Sequence, residues 1–319
     1  MSKKKPVLYL VIPCYNEEAA LLQTIERLKQ KMADLLQENK IAEGSRVLFA
    51  NDGSKDKTWE IIQEQHRKDK LFTGISLSRN RGHQNALLAG LMTAKKYADV
   101  VISLDADLQD DIDAIDEMLA KYAEGTEIVY GVRSSRQKDS TFKRGTAGGF
   151  YKFMHLMGVE VVFNHADYRL ASKRVLDELE NYHEVNLFLR GIFPLIGFKS
   201  EVVYYERGER CAGESKYPLK KMLGLAWDGI SSLSIRPLRF ITALGLIMAG
   251  LSALVLIYSI VVKLLGNAVS GWTFTVCSIW LVGGIQTFSI GVIGEYIGKI
   301  YSETKRRPRY CIAESLIEE

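Results

Sequence analysis

The sequence predicts an α/β protein with a mostly parallel, three-layer sheet, followed by an interfacial amphipathic helix and two transmembrane helices. Three observations lead there. Short apolar runs alternate with helical stretches from residue 7 to residue 132, the pattern of a parallel sheet covered by helices. The first four of these runs stop abruptly in polar clusters. The last third of the chain holds two long runs, 240–262 and 272–294, without a charged residue.

Residues 7–12 form a continuous apolar run, as expected of a strand buried on both faces, closed by Pro13-Cys14-Tyr15-Asn16-Glu17. Helical periodicity covers 19–37. A second strand, 46–50, ends in Asn51-Asp52-Gly53-Ser54, where Gly53 supplies a tight turn and Ser54 or Asp56 can cap a helix reaching Arg67. The third strand, 72–77, ends in Ser78-Arg79-Asn80-Arg81-Gly82-His83-Gln84, before a helix rich in Ala and Leu that reaches Tyr97. The fourth begins at Val100 and runs into Asp105-Ala106-Asp107-Leu108-Gln109-Asp110-Asp111. A helix over 113–122 and a fifth strand over 128–132 complete the alternation. There is no internal repeat or low-complexity segment.

The 319 residues leave room for one domain plus an appendage. A formal charge of +4 gives no reason to expect general nucleic-acid binding. Cys14, Cys211, Cys277 and Cys311 are scattered without a Cys-x-x-Cys pair, which suggests neither a zinc site nor a disulfide framework and suits a reducing compartment. Lys3-Lys4-Lys5 is followed by too short an apolar run for a secretory signal. The glycine fingerprint of dinucleotide binders is missing after the first strand, as is a Walker-type lysine loop. Arg144-Gly-Thr-Ala-Gly-Gly149 reads equally as a mobile loop or a helix start.

In an open parallel sheet, the carboxyl ends of the strands line one edge, where ligands bind. Asp105 and Asp107, flanking a small residue there, suit a hard divalent cation that shares its shell with water and phosphate oxygens. Gln109 can add a neutral oxygen. The plainer alternative is an acidic loop capping the next helix.

Ile12-Pro13-Cys14-Tyr15-Asn16-Glu17-Glu18, Asn51-Asp52-Gly53-Ser54, Leu77-Ser78-Arg79-Asn80 and Asp105-Ala106-Asp107-Leu108-Gln109-Asp110 resemble, in this order, the signature of family-2 glycosyltransferases. Ala166-Asp167-Tyr168-Arg169-Leu170, Phe188-Leu189-Arg190-Gly191-Ile192-Phe193 and Arg210-Cys211-Ala212-Gly213-Glu214-Ser215-Lys216-Tyr217 narrow it. They are similar to the polyprenyl-phosphate glycosyltransferases, GtrB-type proteins and dolichol-phosphate mannose synthase. The resemblance spans nearly the whole chain. It implies a GT-A, Rossmann-like catalytic domain in which Pro13, Tyr15, Glu17, Asp52, Asn80 and Asp105 hold the donor nucleotide. Asp105, Asp107 and Gln109 would hold Mg²⁺ or Mn²⁺ against the diphosphate. The chain departs from the pattern at Asn51, where relatives often carry Asp, and at Asp111-Ile112, where they carry Pro-Pro.

The implied chemistry is inverting displacement at an anomeric carbon, with a cation stabilising the diphosphate that leaves. Arg133, Arg207, Arg210, Ser215 and Lys216 are the candidates for the acceptor phosphate and diphosphate. Arg136 and Lys138 read as solvated charges, and His83 and His165 as surface or satisfied histidines. The resemblance offers Asp167 as catalytic base beside Asp107. An ionised phosphate hardly needs deprotonation, so Asp167 alternatively orients the acceptor or compensates Arg169 or Lys216.

Each charge-free run exceeds the roughly 20 residues that span a bilayer. Lys220, Lys221, Arg236 and Arg239 precede the pair and Lys299, Lys305, Arg306, Arg307 and Arg309 follow it, whereas the connecting loop holds Lys263. By the positive-inside rule, the catalytic domain and both termini face the cytoplasm. Over 218–233, Leu219, Met222, Leu223, Ala226, Trp227, Ile230 and Leu233 recur at helical spacing. This reads as a helix in the membrane interface, with packing on the soluble domain as the rival. Gly245, Gly250, Gly283, Gly284 and Gly291 permit close helix packing and a homo-oligomer.

The expected organisation is a catalytic domain over 1–216, an amphipathic helix over 217–238, a transmembrane hairpin over 239–298 and a basic tail over 299–319. The expected activity is transfer of a sugar, glucose or N-acetylglucosamine, from a UDP-sugar to polyprenyl (undecaprenyl) phosphate at the cytoplasmic face of the inner membrane. A processive polysaccharide synthase and a non-catalytic nucleotide-binding scaffold are the alternatives.

Overall fold

The computed structural model describes residues 5–134, 165–185, 187–206, 234, 236–265 and 271–317. The sequence-predicted alternation is present: β1 (Leu8–Cys14), α1 (Glu18–Gln37), β2 (Arg46–Asn51), α2 (Thr58–Lys68), β3 (Phe72–Leu77), α3 (His83–Ala94), β4 (Val100–Ser103), α4 (Ala114–Ala123) and β5 (Ile128–Arg133). Beyond β5 come β6 (His165–Ser172), α5 (Lys173–Leu179), α6 (Leu189–Ile196), β7 (Ser200–Tyr205), α7 (Arg236–Leu264), α8 (Trp272–Thr304) and β8 (Ile312–Ser315).

Among the described residues, eight strands join one sheet in the order β7-β5-β6-β4-β1-β2-β3-β8. The pairs β1–β2, β1–β4, β2–β3 and β5–β7 are parallel. Two strands run against them. β6 is inserted between β4 and β5, antiparallel to both, and β8 lies antiparallel on β3 at the edge. The sheet is therefore mixed and mostly parallel, a GT-A-like arrangement.

Alternation along β1 builds the two faces. Leu8, Leu10 and Ile12 pack with Leu21, Leu28 and Met32 of α1 and with Ile115 and Met118 of α4. Tyr9 and Val11 pack in the opposite layer, which holds Leu87 and Leu91 of α3, Leu176 of α5 and Phe193 of α6. Successive side chains on a strand point to opposite faces, so a strand apolar at every position must be covered twice. Gly90 brings α3 close to the sheet, because a Cβ there would sit 2.5 Å from Cγ1 of Val11.

Residues 299–317, within the segment expected as a basic tail, hold regular structure. α8 continues to Thr304, and β8 pairs Ser315 with Ile75 and Glu314 with Ser76. Nε1 of Trp59 and Nε2 of Gln63 both donate to Oε2 of Glu314, at 3.1 and 3.0 Å. Nη1 of Arg309 donates to the Tyr182 carbonyl at 2.7 Å, and the Val185 N–H donates to Oε1 of Glu303 at 2.7 Å.

α7 and α8 have 29 and 33 residues. Phe240, Ile247, Leu251, Leu254, Ile290 and Ile297 are among the apolar side chains they expose. Among the described residues, no helix is long and apolar enough to cross a membrane. The expectation of two spans thus rests on the charge-free runs of the full sequence. The amphipathic segment 218–233 and the 144–149 glycine stretch lie outside the described residues.

Gly90→Val should overpack the α3–β1 contact and lower stability by about 1–3 kcal/mol, read from the denaturant midpoint. Gly298→Ala is the contrast, since an added Cβ there meets nothing within 4 Å; it should leave the midpoint in place.

Candidate active site

The loops after β1, β2 and β3 interlock. The Asn16 N–H donates to Ser54 Oγ (3.0 Å), the Lys55 N–H to Asn16 Oδ1 (2.9 Å) and the Glu17 N–H to Thr58 Oγ1 (2.9 Å). Buried Asn51 donates from Nδ2 to Ser76 Oγ and accepts the Ser54 N–H on Oδ1. Asp52 accepts the Arg81 N–H on Oδ1 (2.7 Å) and the Gly82 N–H on Oδ2 (2.9 Å). Burial raises its pKa, and those two amides pull in the opposite direction. Gly53 has φ +63°, and a Cβ there would fall 2.7 Å from the Arg79 carbonyl carbon. Only glycine meets both demands.

Of the residues expected at the nucleotide, Tyr15 and Asn80 are exposed at the cleft mouth, Glu17 is half-buried and Pro13 is buried in β1. Asp52 is buried and holds the 81–82 loop through its two backbone amides.

Asp105 and Asp107 stand on a tight turn. The Leu108 N–H bonds back to the Asp105 carbonyl, and Leu108 takes φ +42°, a strained conformation for a leucine that persists where surrounding packing over-determines it. Ala106 and Leu108 are buried, and the half-buried Asp105 and Asp107 alternate with them. Thr24 Oγ1 fixes the turn by donating to the Ala106 carbonyl at 2.7 Å. Gln109 is buried, and its N–H donates to Asp107 Oδ1 at 3.3 Å.

The reversed direction of β6 brings Asp167 here. Ser103 pairs with Arg169, so continuing that antiparallel register sets Asp105 abreast of Asp167. Ser103 Oγ seals the join by donating to the Asp167 carbonyl at 2.5 Å. The Asp167 carboxylate is enclosed: Arg169 Nη2 reaches Oδ1, and Arg190 donates from Nε to Oδ1 (3.2 Å) and from Nη2 to Oδ2 (2.9 Å). Gln84 Nε2 donates to Oδ2 at 3.3 Å, and His83 Nε2 lies 3.5 Å from the same atom. Burial alone would raise its pKa. The Arg190 charge, the His83 bond and the Arg169 charge outweigh burial and hold Asp167 well below the usual carboxylate range. Arg169 itself is 1% exposed and stacks 4.5 Å over the Phe193 ring.

His83 also lies 3.8 Å from Asp105 Oδ1. Burial pushes Asp105 up to about 6; His83 opposes this, and the charges of Asp110, Asp167 and Asp107 add to it. So much clustered negative charge favours a cation. Among the described residues, no group of three or more His, Cys, Asp or Glu side chains is set to hold a metal alone. The residues present fit a hard cation that two carboxylates hold and phosphate oxygens complete.

Arg133, expected at a phosphate, contacts Asp110 and Tyr205. Its Nη2 donates to Asp110 Oδ1 (3.1 Å) and its Nε to the Tyr205 hydroxyl oxygen (3.3 Å), while the Tyr205 hydroxyl donates to Asp110 Oδ1 at 2.5 Å. Arg207, Arg210, Ser215 and Lys216 lie outside the described residues. The sequence pattern singled out neither Arg190 nor Gln84 as site residues, and it set His83 aside. Arg190 stood within the Phe188–Phe193 motif, the one signal that could have found it.

The sequence model described as "Glycosyl transferase family 2" matches residues 9–180, and that described as "GtrB C-terminal hairpin" matches 236–300. The chain belongs to glycosyl transferase family 2, as a glycosyltransferase of the GtrB type. It is 53% identical over 319 residues to the Bacillus subtilis protein named "Uncharacterized glycosyltransferase YkoT", covering 100% of this chain and 95% of that one. It is 40% identical over 308 residues to the Shigella flexneri "SfII prophage-derived bactoprenol glucosyl transferase", covering 96% and 97%. An Escherichia coli "Prophage bactoprenol glucosyl transferase homolog" is 39% identical over 311 residues, covering 95% and 97%.

Asp52→Ala should release the two amides its carboxylate holds. Hydrogen exchange at Arg81 and Gly82 is expected to accelerate by 10-fold or more, at about 1–3 kcal/mol for the buried bonds lost. Unchanged protection would mean the loop is held otherwise.

Proposed function

We propose that this protein transfers glucose from UDP-glucose to a polyprenyl phosphate, undecaprenyl phosphate in a bacterial membrane, with inversion, at the cytoplasmic face of the inner membrane. N-acetylglucosamine is the other sugar the site would take. One observation carries the reading: Asp105 and Asp107 share a turn at the carboxyl end of β4, directly beside the arginine-braced Asp167 of β6. The full-length match to bactoprenol glucosyl transferases supports the choice of acceptor and sugar.

Asp105 and Asp107 would hold Mg²⁺ or Mn²⁺, which supplies Lewis-acid stabilisation of the departing diphosphate. Tyr15, Glu17 and Asn80 border the nucleoside end of the cleft, above the loop that Asp52 fastens. The acceptor phosphate approaches the Asp167 end, where the arginines lie. Its lipid tail stays in the bilayer, and α7 and α8 enter that bilayer with their exposed apolar faces. β8 belongs to the catalytic sheet, so a pair of spans that returns the chain to its starting side supports this topology. The spacing of glycines on the two helices suits a homo-oligomer within the membrane.

The test incubates purified full-length protein with UDP-glucose, other nucleotide sugars and undecaprenyl phosphate, with and without chelator, and identifies the lipid by mass. Metal-dependent glucosyl-phospholipid formation is expected, lost in Asp107→Asn. Hydrolysis to free sugar with no lipid product would sink the assignment of the acceptor.

For topology, the probe is Cys311, which is exposed, after the other three cysteines are replaced. A membrane-impermeant maleimide should label it in inverted vesicles and not in intact cells. Labelling in intact cells would reverse the proposed orientation.

A further inference from the structure

Asp167 and Arg190 form an asymmetric pair. The carboxylate is 5% exposed and the guanidinium side chain 39%. An ionised carboxylate offers about four lone-pair positions. Arg169, both Arg190 nitrogens and Gln84 already point at them, with His83 beside Oδ2. No position is left from which Asp167 could readily take a proton.

Nor does the transfer call for one. A phosphate monoester has a second pKa near 6 and is mostly a dianion at neutral pH. One of its oxygens forms the bond to the anomeric carbon as the bond from that carbon to the diphosphate oxygen breaks. The diphosphate leaves with the electron pair. The acceptor loses one negative charge on becoming a diester, the departing nucleoside diphosphate gains one, and no proton moves. What the step needs is fixed positive charge against phosphate oxygens.

Arg190 is built for that. Its Nε–Nη2 edge is clamped in two places on Asp167. Gln84 locks the clamp by donating to Asp167 and accepting the Leu189 N–H at 3.0 Å, one residue before Arg190 in the first turn of α6. The Arg190 charge is felt at His83, which adjoins Asp105. Guanidinium, imidazole and the Asp105 carboxylate thus follow one another across the cleft.

We infer that Arg190 is a catalytic residue that grips a phosphate oxygen during transfer, and that Asp167 and Gln84 are positioning residues that aim its guanidinium. The inference rests on the glycosyl-transfer reading. The phosphate belongs either to the donor diphosphate or to the acceptor monoester, which share this chemistry.

The experiment compares full-length wild type, Arg190→Lys, Arg190→Ala, Asp167→Asn and the double variant Asp167→Asn/Arg190→Ala. Readouts are kcat, KM for each substrate, calorimetric UDP affinity with Mn²⁺, and rescue by added guanidinium. Loss of a preorganised charge contact costs about 10²–10³ in kcat, and this is expected of Arg190→Ala and Asp167→Asn. The double variant should be no slower than the worse single, since both act through one group. Guanidinium should restore part of the turnover of Arg190→Ala and none of Asp167→Asn. Weakened UDP binding in Arg190→Ala assigns the grip to the donor; a raised KM for polyprenyl phosphate with unchanged UDP affinity assigns it to the acceptor. Wild-type turnover in Arg190→Lys and Arg190→Ala, or losses that multiply in the double variant, overturns the inference. A wild-type enzyme that makes no lipid-linked sugar sinks the transfer reading instead. In that case, unchanged UDP affinity in Arg190→Ala sinks the arginine assignment as well.

Discussion

A carboxylate buried between two guanidinium groups governs the architecture of the cleft. Removing an ion from water costs several kcal/mol, and the cost is offset only where partners of opposite charge and good geometry are fixed in advance. Asp167 meets that condition through elements distant in sequence: Arg169 on its own strand, Arg190 on α6 and Gln84 on α3. Each would be badly placed if β6 ran parallel to β4. The reversed strand puts residue 167 at the carboxyl edge of the sheet, where ligands bind. A parallel strand of the same sequence would present its other end there. Strand direction and site chemistry are thus one constraint.

The loops after β1, β2 and β3, on the proposed nucleotide side of the cleft, are joined in a different way. Backbone amides and short polar side chains tie them together: Asn16 with Ser54 and Lys55, Glu17 with Thr58, and Asp52 with Arg81 and Gly82. Binding residues held on loops need such support to keep their geometry. The requirement for glycine at position 53 follows, since a Cβ there would run into the Arg79–Asn80 backbone at 2.7–2.9 Å.

The first half of the fold was legible because each of its strands is an unbroken apolar run ending in polar residues, and because helices of matching length separate them. Asp105 and Asp107 were legible for the same reason: they sit where a buried strand stops. β6 was not, since His165-Ala-Asp-Tyr-Arg-Leu-Ala-Ser172 places two charged residues in a strand, and periodicity does not say that a buried Arg169 is neutralised by its neighbour two residues away. β8 was hidden by its length and by its exposure along all four residues; only its pairing with β3 defines it. Arg190 stood in the Phe188–Phe193 motif without a role of its own, because its meaning lies in an ion pair across 23 residues of chain. Arg133 read as a candidate for a phosphate, with no sign in the sequence that Asp110 and Tyr205 hold it. Pairings between distant segments carry no local signature.

The C-terminal contacts bear on how the site would address a lipid on the proposed reading. A catalytic domain joined to paired apolar helices by a single linker would rotate about it, and its cleft would face the bilayer only part of the time. Here the end of α8 and the segment after it are fastened back: Glu303, in the last turn of α8, and Arg309 to the 182–185 stretch, and β8 along β3 with Glu314 clasped by Trp59 and Gln63. β3 is the strand whose carboxyl end opens into the loop that Asp52 holds, and the Ser78 N–H bonds to the Cys311 carbonyl at that junction. The helical pair is therefore coupled by hydrogen bonds to the same strand that leads into the loop held by Asp52. Two points of attachment remove a rotational freedom that one leaves open. On the proposed membrane reading, a site lying over a fixed patch of bilayer needs that restriction, because its acceptor diffuses in two dimensions and arrives from one side.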